Sequence, residues 1–164
     1  MQLPEAIQFI QCEVLQQAPI SQWADLGCGS GLFSTALAHY MPEGSTIYAI
    51  DHKPATRIAG HGIQIFDLDF VSDPLPFGQI DGILMANSLH YVRDQPAFIQ
   101  KLSFYTSSLI VIEYDIEKPV PTWVPFPVSY SKLPTLFPNR KIVKLGERPS
   151  AYGQGDMYSA LITR

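Results

Sequence analysis

The chain carries few charges, two cysteines and no basic cluster, and each shortage removes a class of function. Of 164 residues, 11 are Lys or Arg and 15 are Asp or Glu, for a net charge of −4. A protein that gained its affinity by neutralising phosphates would show a basic patch or stripe. None is present, so nucleic acid is not an expected partner except as a substrate held by other means. The cysteines, Cys12 in an expected helix and Cys28 in a glycine loop, form neither a Cys-x-x-Cys pair nor a metal-site spacing with His. No metal is expected, and two unpaired thiols fit a reducing cytoplasm. The opening Met1-Gln2-Leu3-Pro4-Glu5 lacks the basic start of a signal peptide, and apolar runs such as residues 109–112 fall far short of a membrane span. No membrane contact is expected.

What is present is a hydrophobic content of 46%, enough for one sizeable core, and no shift in composition that would divide the chain. A single domain over residues 1–164 is the expectation. Ile7, Ile10 and Val14 recur at helical spacing after Pro4, so residues 1–19 read as an N-terminal helix region. Strands are expected at 20–26, 46–51, 63–69, 80–87 and 109–114, and helices at 30–40 and 95–105. The crossover 52–62 contains Pro54, Gly60 and Gly62, which leaves room for little helix. Residues 116–138 hold six prolines, cannot form an interior strand, and read as a loop over the strand ends with a short helix near 131–137. Two further strands, 141–145 and 157–163, are close enough to pair as a hairpin. Alternating β/α units followed by a hairpin predict an α/β fold, with a mostly parallel sheet and one antiparallel strand.

The stretch from Trp23 to Phe33 concentrates the chemistry. An apolar run ends in Asp25, alternate glycines follow at Gly27, Gly29 and Gly31, and helix-forming residues come next. A dinucleotide fingerprint would place its third glycine where Leu32 stands, and no Gly-Lys-Ser/Thr follows to make a phosphate-binding P-loop. A second strand ends in Asp51, twenty residues beyond Gly31.

The pattern Asp25-x-Gly27-x-Gly29-x-Gly31 with Asp51 resembles the class I S-adenosylmethionine-dependent methyltransferases. The segment from Asp81 to Tyr91 is particularly similar to small bacterial members of that family. The resemblance runs from about Trp23 to the C-terminus and implies a Rossmann-like three-layer sandwich with a seven-stranded sheet. S-adenosylmethionine is the implied cofactor. Asp25 would complement its cationic groups, and the backbone at Gly27, Cys28 and Gly29 would approach the methionine part beside Gly31. Asp51, with His52 next to it, would take the ribose hydroxyls. Asp69-Phe70 would meet the adenine, with Asp67-Leu68 as a competing register, and Asn87-Ser88 would lie near the transferred methyl.

On this reading His90 is the best-placed base, and its alternative use is a helix-start histidine bonded to a neighbouring backbone. Tyr91, Glu113, Tyr114, Trp123 and Tyr130 are candidate substrate contacts. The set Arg140, Lys141, Lys144 and Arg148 reads as a solvated strand face. The shortened crossover after Asp51 would leave one sheet face thinly covered, for a partner such as a second copy in a homodimer, or for substrate. Methyltransferases of base amines carry Asn/Asp-Pro-Pro-Tyr/Phe after strand four, and Asn87 is followed here by Ser88-Leu89-His90. A small-molecule acceptor is therefore expected first and a protein second. Two other readings compete: a binding module with an eroded catalytic face, suggested by the short crossover, and a nicotinamide dehydrogenase, disfavoured by Leu32.

Overall fold

Strands buried on both faces read as continuous apolar runs, and residues 82–86 and 109–114 behave this way. In the computed structural model, which describes residues 1–149 and 155–164, they form the middle of a seven-stranded sheet. The strands are β1 (Gln22–Leu26), β2 (Thr46–Asp51), β3 (Ile63–Asp67), β4 (Gly82–Ala86), β5 (Leu109–Tyr114), β6 (Lys141–Pro149) and β7 (Asp156–Thr163). Their order is β3-β2-β1-β4-β5-β7-β6. β7 runs antiparallel to both neighbours, so it is the one reversed strand and the hairpin returns β6 to the common direction.

Helices cover both faces. α1 (Leu3–Phe9), α2 (Glu13–Gln16) and α3 (Leu32–Tyr40) pack Phe9, Leu15 and Leu37 against Trp23, Ile47 and Leu84. α4 (Gln95–Leu102) and α5 (Leu133–Leu136) pack Phe98, Leu102 and Leu133 against Leu26, Met85 and Val111. Each sheet face thus buries its own cluster, and the three-layer α/β arrangement follows from the alternation of β-strand side chains.

Three expectations need adjustment. The N-terminal helix is two pieces, because the chain breaks at 10–12 and turns so that Ile10, Cys12 and Leu15 all face inward while Val14 is left 39% exposed. A continuous helix would have kept Ile10 and Val14 on one stripe. β3 stops at Asp67, since residues 69–73 close a turn of their own. β6 extends to Pro149, with a bulge between Lys144 and Gly146, and the connection to β7 lies partly outside the described residues. The short crossover packs on α3, with Ile58 against Gly31 and the Ala59 carbonyl accepting from Thr35 Oγ1, while on the other sheet face Tyr48, Phe77 and Tyr105 lie with ring centroids 4.9 and 5.6 Å apart. β3 itself remains half-buried along its length.

The proline-rich segment crosses the ends of β4 and β5. The Phe126 N–H donates to the His90 carbonyl at 3.0 Å, Gln95 Nε2 donates to the Phe126 carbonyl at 2.7 Å, and the Tyr130 N–H donates to Asp115 Oδ1 at 2.8 Å. No helix among the described residues is long and apolar enough to cross a membrane.

At the pairing of β1 with β4, Trp23 lies opposite Gly82, and a methyl group there would come within 2.3 Å of the fully buried indole. Gly82→Ala is therefore expected to destabilise the fold by about 1–3 kcal/mol through overpacking. The check is a lower denaturant midpoint at unchanged slope.

Candidate functional site

The strand order reverses between β1 and β4, and in an open α/β sheet small ligands bind at the carboxyl ends on either side of such a point. The loop after β1 and the turn after β4 meet there in close contact. A Cβ on Gly27 would fall 2.4 Å from Ser88 Cβ, and Ser88 Oγ donates to the Leu26 carbonyl at 2.6 Å. Gly31 is closed in the same way by Ile58 of the crossover, at 2.4 Å. Gly29 alone of the three has nothing within 4 Å of where a Cβ would be. The glycines thus serve different ends, two letting protein close on protein and one leaving space above the loop.

Asp25 ends β1 beneath this loop at 1% exposure. Its Oδ2 accepts from Ser34 Oγ of α3 at 2.6 Å, while Oδ1 has no partner among the described residues. Burial, with a smaller push from Asp51 and opposed by the Ser34 bond, raises its carboxyl to about 7. Asp25, expected to complement the cofactor's cationic groups, is thus sealed beneath the loop and is not among the residues lining the cleft. Cys28 is also buried, and burial followed by the charges of Asp25 and Asp51 pushes its thiol up to about 12, so it is an inert packing group.

Asp51 ends β2 and is clamped by backbone. Its Oδ2 accepts the Gly29 N–H at 3.0 Å and its Oδ1 accepts the Lys53 N–H at 3.0 Å, with His52 Nδ1 3.2 Å from Oδ1. Asp69 closes a turn after β3: its Oδ1 accepts the Val71 N–H and its Oδ2 accepts Ser72 Oγ, both at 2.9 Å. The Val71 N–H, more than any other contact, holds this carboxyl below its usual range. Lys101 Nζ of α4 donates to the carbonyls of Phe70, Val71 and Asp73 and pins the turn to the domain.

A cleft of about 600 Å³ opens over these groups. Its walls include Gly27, Asp51, His52, Asp69 and Phe70 from the first three strand ends, and Asn87, Ser88 and Tyr91 from the fourth. Asp69 lines it and Asp67 does not. Asn87, at φ 52°, carries a buried Oδ1 with no partner among the described residues. A second cavity of about 170 Å³ lies on the other side of Asn87, bounded also by Leu32, Phe33, Tyr114, Arg148 and Met157.

The remaining candidates are placed otherwise. His90 is 1% exposed and Glu113 is fully buried. Glu113 Oε2 lies 2.6 Å from His90 Nδ1 and its Oε1 accepts the His90 N–H at 3.1 Å, so both oxygens serve one residue and neither residue lines either of these two cavities. Glu113, expected as a substrate contact, forms a clamp that ties the turn after Asn87 to β5. His90, expected as a base, is the other half of that clamp. Trp123 packs on Tyr114 with centroids 4.3 Å apart, behind the second cavity. Tyr130 lies against Tyr158 and under Lys144 Nζ, away from both cavities.

Residues 24–104 match the family described as a methyltransferase domain. Over these residues the chain is similar to class I methyltransferases. Solved structures agree on the fold. A cyclopropane-fatty-acyl-phospholipid synthase-like protein from Lactobacillus casei superposes with a TM-score of 0.75 at 13% identity, over 99% of this chain and 90% of that one. An S-adenosylmethionine-dependent methyltransferase from Aquifex aeolicus gives 0.61 at 15%, over 99% and 100%. The magnesium protoporphyrin IX methyltransferase from Synechocystis, with bound S-adenosylhomocysteine, gives 0.71 at 14%, over 99% and 81%. The sequence has no significant match among curated proteins.

Sequence reasoning missed Val71, Val92 and Arg93, which complete the cleft. Arg93 follows Tyr91 by two residues on the turn after β4, so continuing the strand-end run would have found it. Among the described residues no cluster of His, Cys, Asp and Glu is suited to a metal ion.

The raised Asp25 carboxyl predicts a pH signature. Its folded value, about 7, lies above the ordinary 3.8, so its contribution to stability is fully present below about pH 4 and is lost as pH rises through 7. Asp25→Asn is expected to gain stability relative to the wild type over that window, up to roughly 4 kcal/mol. Denaturant midpoints of both proteins at acid and neutral pH test this, and parallel profiles would contradict it.

Proposed function

We propose that the chain transfers a methyl group from S-adenosylmethionine to a small-molecule acceptor. The observation that carries this reading is the cleft at the sheet's reversal point, which brings together Asp51, Asp69-Phe70 and Asn87 from the ends of β2, β3 and β4.

The residues present fit the group. S-adenosylmethionine has no phosphate, and the loop after β1 has no lysine to greet one. Asp51 is already oriented by the Gly29 and Lys53 N–H groups and would accept from both ribose hydroxyls. Phe70 and the pinned Asp69 turn would hold the adenine, Gly29 leaves the methionine part room above the loop, and the unpartnered Asn87 Oδ1 is free to bind near it. Eight of the residues chosen for this chemistry from sequence line one cleft, which supports an intact site over an eroded one.

When bound, the sulfonium supplies a methyl carbon that forms a bond to the acceptor's lone pair while its bond to sulfur breaks and sulfur keeps the electron pair. With so good a leaving group, the protein's contribution is alignment: a fixed near-attack geometry accounts for several kcal/mol of rate by itself. Asn87, held at positive φ between the two cavities, is the side chain best sited for that alignment. His90 and Glu113 brace its turn from behind. No buried base is required, since a proton released by the acceptor can pass to solvent.

The Synechocystis neighbour is described as acting on magnesium protoporphyrin IX, a small molecule. The net charge of −4 likewise favours a small acceptor over nucleic acid.

Removing the Asp51 carboxylate is expected to raise the dissociation constant for S-adenosylhomocysteine about 10- to 100-fold, through lost hydrogen bonds worth ~1–3 kcal/mol. Titration calorimetry on Asp51→Ala tests this, and an unchanged constant in the folded variant would take Asp51 out of the site. Wild-type protein that binds NAD and ignores S-adenosylhomocysteine would overturn the reading as a whole.

A further inference from the structure

The second cavity has a composition that says what enters it. Three side chains sit in one row across the sheet: Tyr114 of β5 is in register with Met157 of β7, and Met157 with Arg148 of β6. Leu32 and Phe33, at the start of α3, close the opposite wall, and Asn87 separates this space from the cofactor cleft. With Met1 completing them, the walls are apolar and aromatic apart from Asn87, and Arg148 is their cationic side chain.

That cation is under-used. Arg148 was expected on a solvated strand face with Arg140, Lys141 and Lys144, yet its side chain is only 26% exposed. Among the described residues its charged contact is Glu5 Oε1 at a long 3.8 Å, and Glu5 is itself 54% exposed and engaged through Oε2 with the Gln2 N–H. A guanidinium offers five donors in a planar fork that matches a carboxylate. One distant, solvated partner leaves that fork unfilled at the edge of the cavity.

We propose that this cavity receives the methyl acceptor, and that the acceptor is a small apolar or aromatic body bearing a carboxylate held by Arg148. The inference rests on the methyl-transfer reading above. It deepens that reading because Asn87 borders both spaces, so a molecule seated against Tyr114 and Met157 faces the cofactor across that one side chain. The volume of about 170 Å³ limits the buried part to roughly one ring. Arg148 then sets which end of the acceptor points away from the cofactor, and the Glu5 ion pair is the contact the acceptor's carboxylate displaces.

The test uses two single-ring probes of equal shape, 4-hydroxybenzoate and 4-hydroxybenzamide, titrated by NMR into the full chain saturated with S-adenosylhomocysteine. The acid is expected to bind at least tenfold more tightly than the amide, in line with a charge-assisted bidentate contact. Arg148→Gln, checked for retained S-adenosylhomocysteine binding, is expected to erase the difference, and Glu5→Gln to keep or enlarge it. Equal binding of acid and amide, binding of neither, or a preference that survives in Arg148→Gln would overturn the proposal. Failure of the wild type to bind S-adenosylhomocysteine would instead overturn the functional reading, so the two failures are told apart.

Discussion

The contact on which the site depends is Gly27 against Ser88. β1 and β4 lie side by side at the reversal of strand order, and their following segments must part to leave a crevice yet stay close enough to share one site. Ser88 achieves this by donating to the Leu26 carbonyl from the space a Gly27 side chain would fill. Any larger residue at position 27 would push the turn after β4 outward and carry Asn87 with it. Asn87 stands at positive φ, a conformation non-glycine residues hold only where surroundings enforce it. The enforcement comes from two sides: Ser88 bonds back to β1, and the His90–Glu113 pair bonds forward to β5.

Electrostatics divide the strand-end acids into two kinds. Asp51 and Asp69 accept backbone N–H groups and line the cleft, and for Asp69 these bonds favour the charged form. Asp25 and Glu113 lie below the surface, and each is bonded to one element that it helps to fix, α3 in the first case and the turn after Asn87 in the second. All four residues are strand-end carboxylates in sequence, so the type alone does not separate a ligand-facing acid from a bracing one. Burial does, and burial depends on what packs above each strand end.

This is also why the sheet was legible in the sequence and part of the site was not. Apolar runs, β-branched residues and strand-ending acids located β1 to β5 to within a few residues, and the glycine spacing located the loop. Asp51, Asp69 and Asn87 follow from chain order alone, because each lies at or within two residues of the end of its strand. The partners of Glu113, Tyr130 and Arg148 do not follow, since they depend on the register of β5, β7 and β6 and on how the proline-rich segment crosses them. The break at 10–12 was hidden for a related reason: a helical period cannot tell a straight helix from two short ones that rotate to bury Leu15 in place of Val14.

Lys101 shows how a small domain manages with shortened connections. The crossovers after β2 and β3 carry no helix, so nothing regular supports the turn 69–73 that faces the cleft. One ammonium bonded to three carbonyls of that turn takes the place of a supporting helix. Its donors sit on α4, which begins just past the turn after β4, so the third and fourth strand ends are braced by a common element. α4 thus holds the turn 69–73 through Lys101 and, through Gln95 Nε2 to the Phe126 carbonyl, also holds the proline-rich segment that lies over His90.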